Sequence, residues 1–246
     1  MIGQTVDPKL TFESFVVGPA NRLAYAAART SAEAPGSTYN PLFLYAGSGL
    51  GKTHLLMAIA NLVKAVHPEL RVMYTALERL FHDLEQDGDA SATYEDAGIL
   101  LVDDLQFLST RPGSQATVFH LLDAHLVAGH QVVLACDRPP MEMDQVDDRL
   151  LSRFSGGLVV DITRPGLETR TAILQRKLQE RGVDLSTAVV EEIARLAIDN
   201  VRQLQGALQK VLAFQRVESR AIEAGEVRGL LGDLTGPSAL SWITEP

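Results

Sequence analysis

"LFLYAGSGLGKTHLL", residues 42–56, decides the reading of this 246-residue chain. Five mostly apolar residues run into a glycine-studded turn, and Lys52-Thr53 then opens an apolar-periodic run. Glycines let successive backbone N–H groups turn inward around an anion, where side chains would obstruct them. Strand, loop and helix in that order make a phosphate-binding P-loop. Gly47, Gly49 and Gly51 shape the cradle, Lys52 reaches the β- and γ-phosphates, the Thr53 hydroxyl ligates magnesium, and His54 follows in the first turn. The helix start aims its positive dipole end at the same anions. The pattern asks for a further glycine five residues before Gly51, where this chain has Ala46. A plain glycine-rich turn would not need Lys-Thr at the helix start, so the segment predicts binding of ATP or ADP with Mg2+.

Outward from the loop, apolar strands alternate with helices. The pattern predicts a helix over "NRLAYAAARTSAEAP" and the P-loop helix over "THLLMAIANLVKAVHP", whose positions 55, 56, 59, 62, 63 and 66 share a face. "RVMYTAL", "GILLVDD", "QVVLAC" and "LVVDI" are further strands, with helices over "ERLFHDLEQ", "SQATVFHLLDAHLVAG" and "DDRLLSRF" between them. The fold class that follows is α/β: a five-stranded parallel sheet flanked by helices. After Pro165 the strands stop, and helices at about 167–181, 187–198 and 201–217 build a small all-α lid. We therefore divide the chain into a core over 1–164, with 1–11 as an unstructured lead-in, a lid over 165–230, and a tail or linker over 231–246.

The second half of the phosphate chemistry is "LLVDD". Asp103, leaving a buried strand, holds magnesium, and Asp104 orients an attacking water; two helix-capping acids are the plainer alternative. "VVLACDRPP" ends a strand at Asp137, placed to sense the γ-phosphate. Arg149 and Arg153 lie four apart on one helix face, suited to a phosphate bound by a neighbouring subunit. Arg202 opens a lid helix and can swing onto the γ-phosphate.

Composition bounds the rest. The net charge is −9, which argues against coating nucleic acid by bulk attraction. The charge is uneven: Arg164–Arg228 holds 11 basic and 9 acidic residues, and the remainder 11 and 22. A single cysteine, Cys136, excludes an internal disulfide and suits a reducing compartment. No apolar run can span a membrane and the first residues lack leader character, so the expected location is cytoplasmic with no membrane partner.

These motifs, in this order, resemble the AAA+ ATPase domain of the DnaA/Hda family of bacterial replication initiators. The resemblance runs through "LTFESFVVGPANRLAYAAA", "YNPLFLYAGSGLGKTHLL", "LLVDDLQFL", "DRPP", "DRLLSRF" and "NVRQLQGAL", roughly residues 10–230. It implies adenine contacts for Val16, Val17 and Asn21, an arginine finger acting in trans for Arg153, an interface role for Arg149, and the lid sensor for Arg202. It also implies slow hydrolysis, since the Asp103-Asp104 pair stands where most AAA+ motors carry Asp-Glu.

Two departures bear on DNA. The family's helix-turn-helix is not found in these residues, so specific duplex recognition is not expected of them. Where the family carries a basic insertion before the "LLVDD" strand, residues 78–98 have one base, Arg79, against seven acids. Phosphate binding depends on neutralising cations, so single-stranded DNA binding is expected to be weak or absent. The favoured function is a nucleotide switch in replication initiation or its regulation, acting through ATP-dependent self-association or a partner of the same family. An initiator- or loader-type ATPase on single-stranded DNA, and a non-catalytic nucleotide-bound module of a longer chain, are the alternatives.

Overall fold

The structure is a computed structural model that describes residues 3–86, 90–196 and 198–232. Five strands form one parallel sheet: β1 (Leu42–Tyr45), β2 (Val72–Ala76), β3 (Ile99–Asp103), β4 (Gln131–Cys136) and β5 (Leu158–Asp161), in the order β2-β3-β4-β1-β5. Their residues are Val-, Ile- and Leu-rich, and β3 and β4 are buried along their whole length, as a sheet covered on both faces requires. Helix α1 (Arg22–Glu33) precedes β1, and the crossovers are α2 (Lys52–Val66), α3 (Leu77–Gln86), α4 (Ala90–Glu95), α5 (Gln115–Val127) and α6 (Asp148–Ser155).

Of the predicted α2 stripe, Leu55, Leu56, Ile59 and Val63 are fully buried, whereas Val66, at the last turn, is exposed. Phe43 faces the other side of the sheet, its ring 5.6 Å from that of Phe154 on α6. β1 therefore fixes both the P-loop that follows it and the helix that carries Arg149 and Arg153.

The chain divides into two compact units, one of Met1–Phe15 with Asn21–Thr163, the other of Val16–Ala20 with Arg164–Pro246. The second contains α7 (Leu167–Arg181), α8 (Thr187–Arg195), α9 (Val201–Glu218) and α10 (Ala224–Leu231) around its own core, in which Leu174, Ile193, Leu204 and Leu208 are fully buried. Ser186 and Asn200 cap α8 and α9, accepting the N–H groups of Val189 and Gln203. Helix α10 was not anticipated, because its Gly225 and Gly229 dilute the apolar period; its start is held by a reciprocal cap between Glu223 and Glu226. The predicted tail lies outside the described residues from 233 onward.

Residues 3–10 carry no helix or strand, in keeping with a sequence read as lead-in, yet their polar groups are engaged. The Gly3 N–H donates to Asp83 at 3.0 Å, and the Gln4 N–H to the Tyr74 carbonyl at 2.8 Å. The Asn61 amide donates to the carbonyls of Asp7 and Leu10, both at 2.9 Å. Such partners come from far along the chain and leave no periodic trace in the sequence.

The predicted acidic insertion also differs from its sequence reading. It contains a second helix, α4, and three of its five described acids are ion-paired: Asp83 with Arg79, Glu85 with Arg111, and Asp96 with Arg71. Two of those three arginines lie outside the segment, so a charge count within it leaves them out. Asp87 and Asp89 fall outside the described residues.

Candidate nucleotide-binding site

The loop after β1 is shaped by two glycines in the left-handed region, Gly49 at φ +74° and Gly51 at φ +106°. Gly51 is the residue before α2, and a Cβ there would also meet the Phe15 ring at 3.1 Å. Gly47 makes no such demand, since a Cβ would meet only Leu50, at 3.8 Å. Ala46 is no defect in the pattern. It is buried in the core, its φ is not positive, and its N–H continues the β1–β4 pairing to the Cys136 carbonyl.

Lys52 is 8% exposed, and its Nζ donates to the carbonyls of Ala46 at 2.6 Å and Gly47 at 3.3 Å. Burial lowers its pKa, while the carboxylates of Asp103, Asp104 and Asp137 hold it up. A buried ammonium at a helix N-terminus, held only by two carbonyls, is a site made for an anion. Beside it the Thr53 hydroxyl donates to Asp103 Oδ2 at 2.6 Å, so the two oxygens that would share a magnesium ion already adjoin. The residues fit a nucleotide phosphate chain and its metal.

Asp103 is 3% exposed at the end of β3. Its Oδ1 accepts the Asp104 N–H at 2.9 Å, and the Tyr74 hydroxyl lies 3.5 Å from Oδ2. Burial raises its pKa, and the Thr53 hydrogen bond opposes the rise. Because the folded value lies above the unfolded one, ionising Asp103 costs stability as pH rises from the unfolded pKa through the folded one. Asp103→Asn is therefore expected to raise the melting temperature at neutral pH by about 2–4 °C, equivalent to about 1 kcal/mol. It should at the same time abolish the magnesium dependence of nucleotide binding; a melting temperature that falls would contradict the burial argument.

The remaining predicted residues are placed as follows. Asp104 has a left-handed φ of +57° and precedes the 3-10 turn Leu105–Thr110, and its Oδ1 accepts from Gln106 Nε2 at 2.9 Å. His54 lies in the first turn of α2. Its Nε2 donates to the Thr11 carbonyl at 2.9 Å and its ring packs edge-on to Phe15, so the imidazole anchors the N-terminal segment. Asp137 follows β4 and is ion-paired with Arg138.

Arg149 and Arg153 share one aromatic ring, their guanidiniums 5.1 and 5.9 Å from the centroid of Phe119, and pair with Asp147 and Asp123 respectively. Arg153 lines a 430 Å³ cleft with Asn40, Pro41 and Gly156, at the end of the sheet where β1 and β5 begin. The P-loop leaves the opposite end of β1, one strand length or roughly 13 Å away.

In the second unit, Val16 packs against the helical core, Val17 is exposed, and Arg202 is exposed in the first turn of α9. Asn21, in the first unit, precedes α1. Sequence reasoning missed Tyr74, Gln106, Phe119 and Arg138. Of these only Arg138, adjacent to a predicted site residue, left a signal to follow.

Residues 6–161 match the family described as the bacterial DnaA ATPase domain. The chain belongs to that family. The DnaA of Herpetosiphon aurantiacus, a chromosomal replication initiator protein, is 40% identical over 245 residues, covering 97% of this chain and 52% of the relative. The chain thus spans about half the length of the curated DnaA relatives it matches. Domain III of the Thermotoga maritima replication initiation protein DnaA superposes with a TM-score of 0.89 at 39% identity, over 95% of this chain and all of that one. A DnaA structure bound to AMPPCP and single-stranded DNA matches with a TM-score of 0.77 at 34% identity, over 88% of this chain and 70% of the other. The DnaA likeness therefore covers the P-loop, both aspartates, Asp137 and the Arg149–Arg153 helix together. Among the described residues, no helix is long and apolar enough to cross a membrane.

Proposed function

We propose that this chain is a DnaA-type nucleotide switch of the bacterial cytoplasm, acting in the initiation of DNA replication or its regulation. Lys52 and the α2 N-terminus would bind the phosphates of ATP or ADP, and Thr53 and Asp103 would hold Mg2+, which neutralises charge on the phosphate oxygens. Hydrolysis in this reading is slow: Asp104 has a short reach, and its carboxylate is already engaged by Gln106. Val16, Val17 and Asn21 as adenine contacts, and Arg202 as the sensor of the helical unit, belong to the same proposal.

The observation that carries it is the position of Arg153 beside the residues that enter β1, at the end of that strand opposite its own P-loop. An arginine there serves a phosphate held by another subunit, with Arg149 supporting the interface, so ATP links one copy, or a family partner, to the next. Arg153→Ala is expected to abolish ATP-dependent growth in solution mass, measured by light scattering in ATP with magnesium and again in ADP, while nucleotide affinity changes less than about twofold. Unchanged assembly in that variant would remove the finger assignment.

A second reading, single-stranded DNA binding, gains support from the internal pairing of Asp83, Glu85 and Asp96. A DnaA relative has been seen with such a strand. Anisotropy of a labelled oligonucleotide, titrated into the same ATP samples at two salt concentrations, separates the readings.

A further inference from the structure

We propose that Arg138 binds the terminal phosphate of the nucleotide held by its own P-loop, and that Asp137 acts only through it, as a positioning residue. The inference rests on the nucleotide-site reading above. It starts from the sheet order. β4 lies directly beside β1, Tyr45 is in register with Cys136, and the Ala46 N–H reaches the Cys136 carbonyl. Residues 137 and 138 therefore emerge next to the first residues of the phosphate loop. They line a cavity of 320 Å³ there together with Ala46, Gly47, Glu142 and Asp161.

A carboxylate is a poor partner for a triphosphate. An ionised aspartate only accepts hydrogen bonds, and it carries the phosphate's own sign of charge. Asp137 is held in that form, chiefly by Arg138: Arg138 Nε donates to Oδ1 at 2.8 Å and Nη2 to Oδ2 at 3.2 Å, and its pKa is lowered accordingly. The guanidinium is the donor of the pair. Two of its five N–H groups go to Asp137, and the remainder form a fork suited to a phosphate oxygen pair. Lys52 adds its own charge to the same loop, where its ammonium donates to the carbonyls of Ala46 and Gly47. The loop and the end of β4 thus bring two cations near one carboxylate, and it is the cations that can touch an anion. Glu142 and Asp161 around the same cavity, with Asp144 nearby in charge, make an uncompensated phosphate still less tolerable without Arg138.

Sequence alone singles out Asp137 because it ends the strand. The ion pair shifts the contact one residue onward and turns the aspartate into a brace.

The test measures affinity for ATP and for ADP, each with magnesium, on the full chain. Arg138→Ala should weaken ATP about tenfold or more and leave ADP within about twofold, because the lost bonds go to the phosphate that ADP lacks. Arg138→Lys should recover part of the loss. Asp137→Asn should reproduce the selective loss, and the double variant should be no worse than Arg138→Ala, because both changes break one unit. Equal losses for ATP and ADP, no loss at all, or a further loss from Asp137→Asn in the Arg138→Ala background would each overturn the assignment. Lys52→Ala, measured alongside, must lose both nucleotides; if it lost neither, the site reading itself would fall, and the proposal with it.

Discussion

Lys52→Ala is expected to weaken binding of ATP by roughly 100-fold or more, since a charge-assisted contact to each of two phosphates would be lost, and to weaken ADP by a smaller but still large factor through the β-phosphate alone. The lysine is nearly sealed from solvent, and its ammonium meets only the carbonyls of Ala46 and Gly47. Among the described residues, no carboxylate within hydrogen-bonding reach repays its desolvation. Removing it therefore leaves no buried countercharge in direct contact, and the variant should fold as well as the parent. Titration calorimetry reads the affinity directly. Thermal unfolding gives an independent reading, because ligand at 100 times its Kd stabilises by about 2.7 kcal/mol and that shift should vanish. Parental affinity in a folded variant would place the phosphates somewhere other than this loop.

The largest loss of stability is expected from Phe43→Ala, at about 3–5 kcal/mol. Phe43 is completely buried in the second strand from the sheet's β5 edge, and its ring meets Phe154 on α6. Truncation leaves a cavity between the strand that feeds the P-loop and the helix bearing Arg149 and Arg153. Urea unfolding followed at the α/β unit should show a lower midpoint, with the helical unit resolved as a separate transition if the two do not melt together. Wild-type stability would mean that neighbouring side chains collapse onto the space without cost. Weakened self-association with intact nucleotide affinity is the expected companion effect, because β1 is held by ladders to β4 and β5 and α6 loses the ring it packs on.

Strands, P-loop and the acid pair were legible because each has a local signature: an apolar run, glycines before Lys-Thr, carboxylates at a strand end. The positions of β1 and β4 as neighbours were not, since sequence order says nothing of a crossover, and the role of Arg138 depends on that adjacency. The ring of His54 was illegible for a similar reason: its partners, Thr11 and Phe15, lie about forty residues earlier in the chain. Charge counting over residues 78–98 left out Arg71 and Arg111, which pair with Asp96 and Glu85, because they come from flanking segments. Helix α10 escaped because its cap is a pair of glutamates rather than one of the small polar residues that usually announce a helix start.

The strap of residues 3–15 has a practical corollary. One end hands a backbone N–H to Asp83, which is 5% exposed and also takes the Tyr94 hydroxyl at 2.8 Å; the other end receives His54 and lays Phe15 over Gly51. Anyone trimming the gene to start at the first helix would remove both fastenings. The shortened product would carry a sealed carboxylate missing a donor and an imidazole missing its acceptor, at opposite ends of what had looked like packaging.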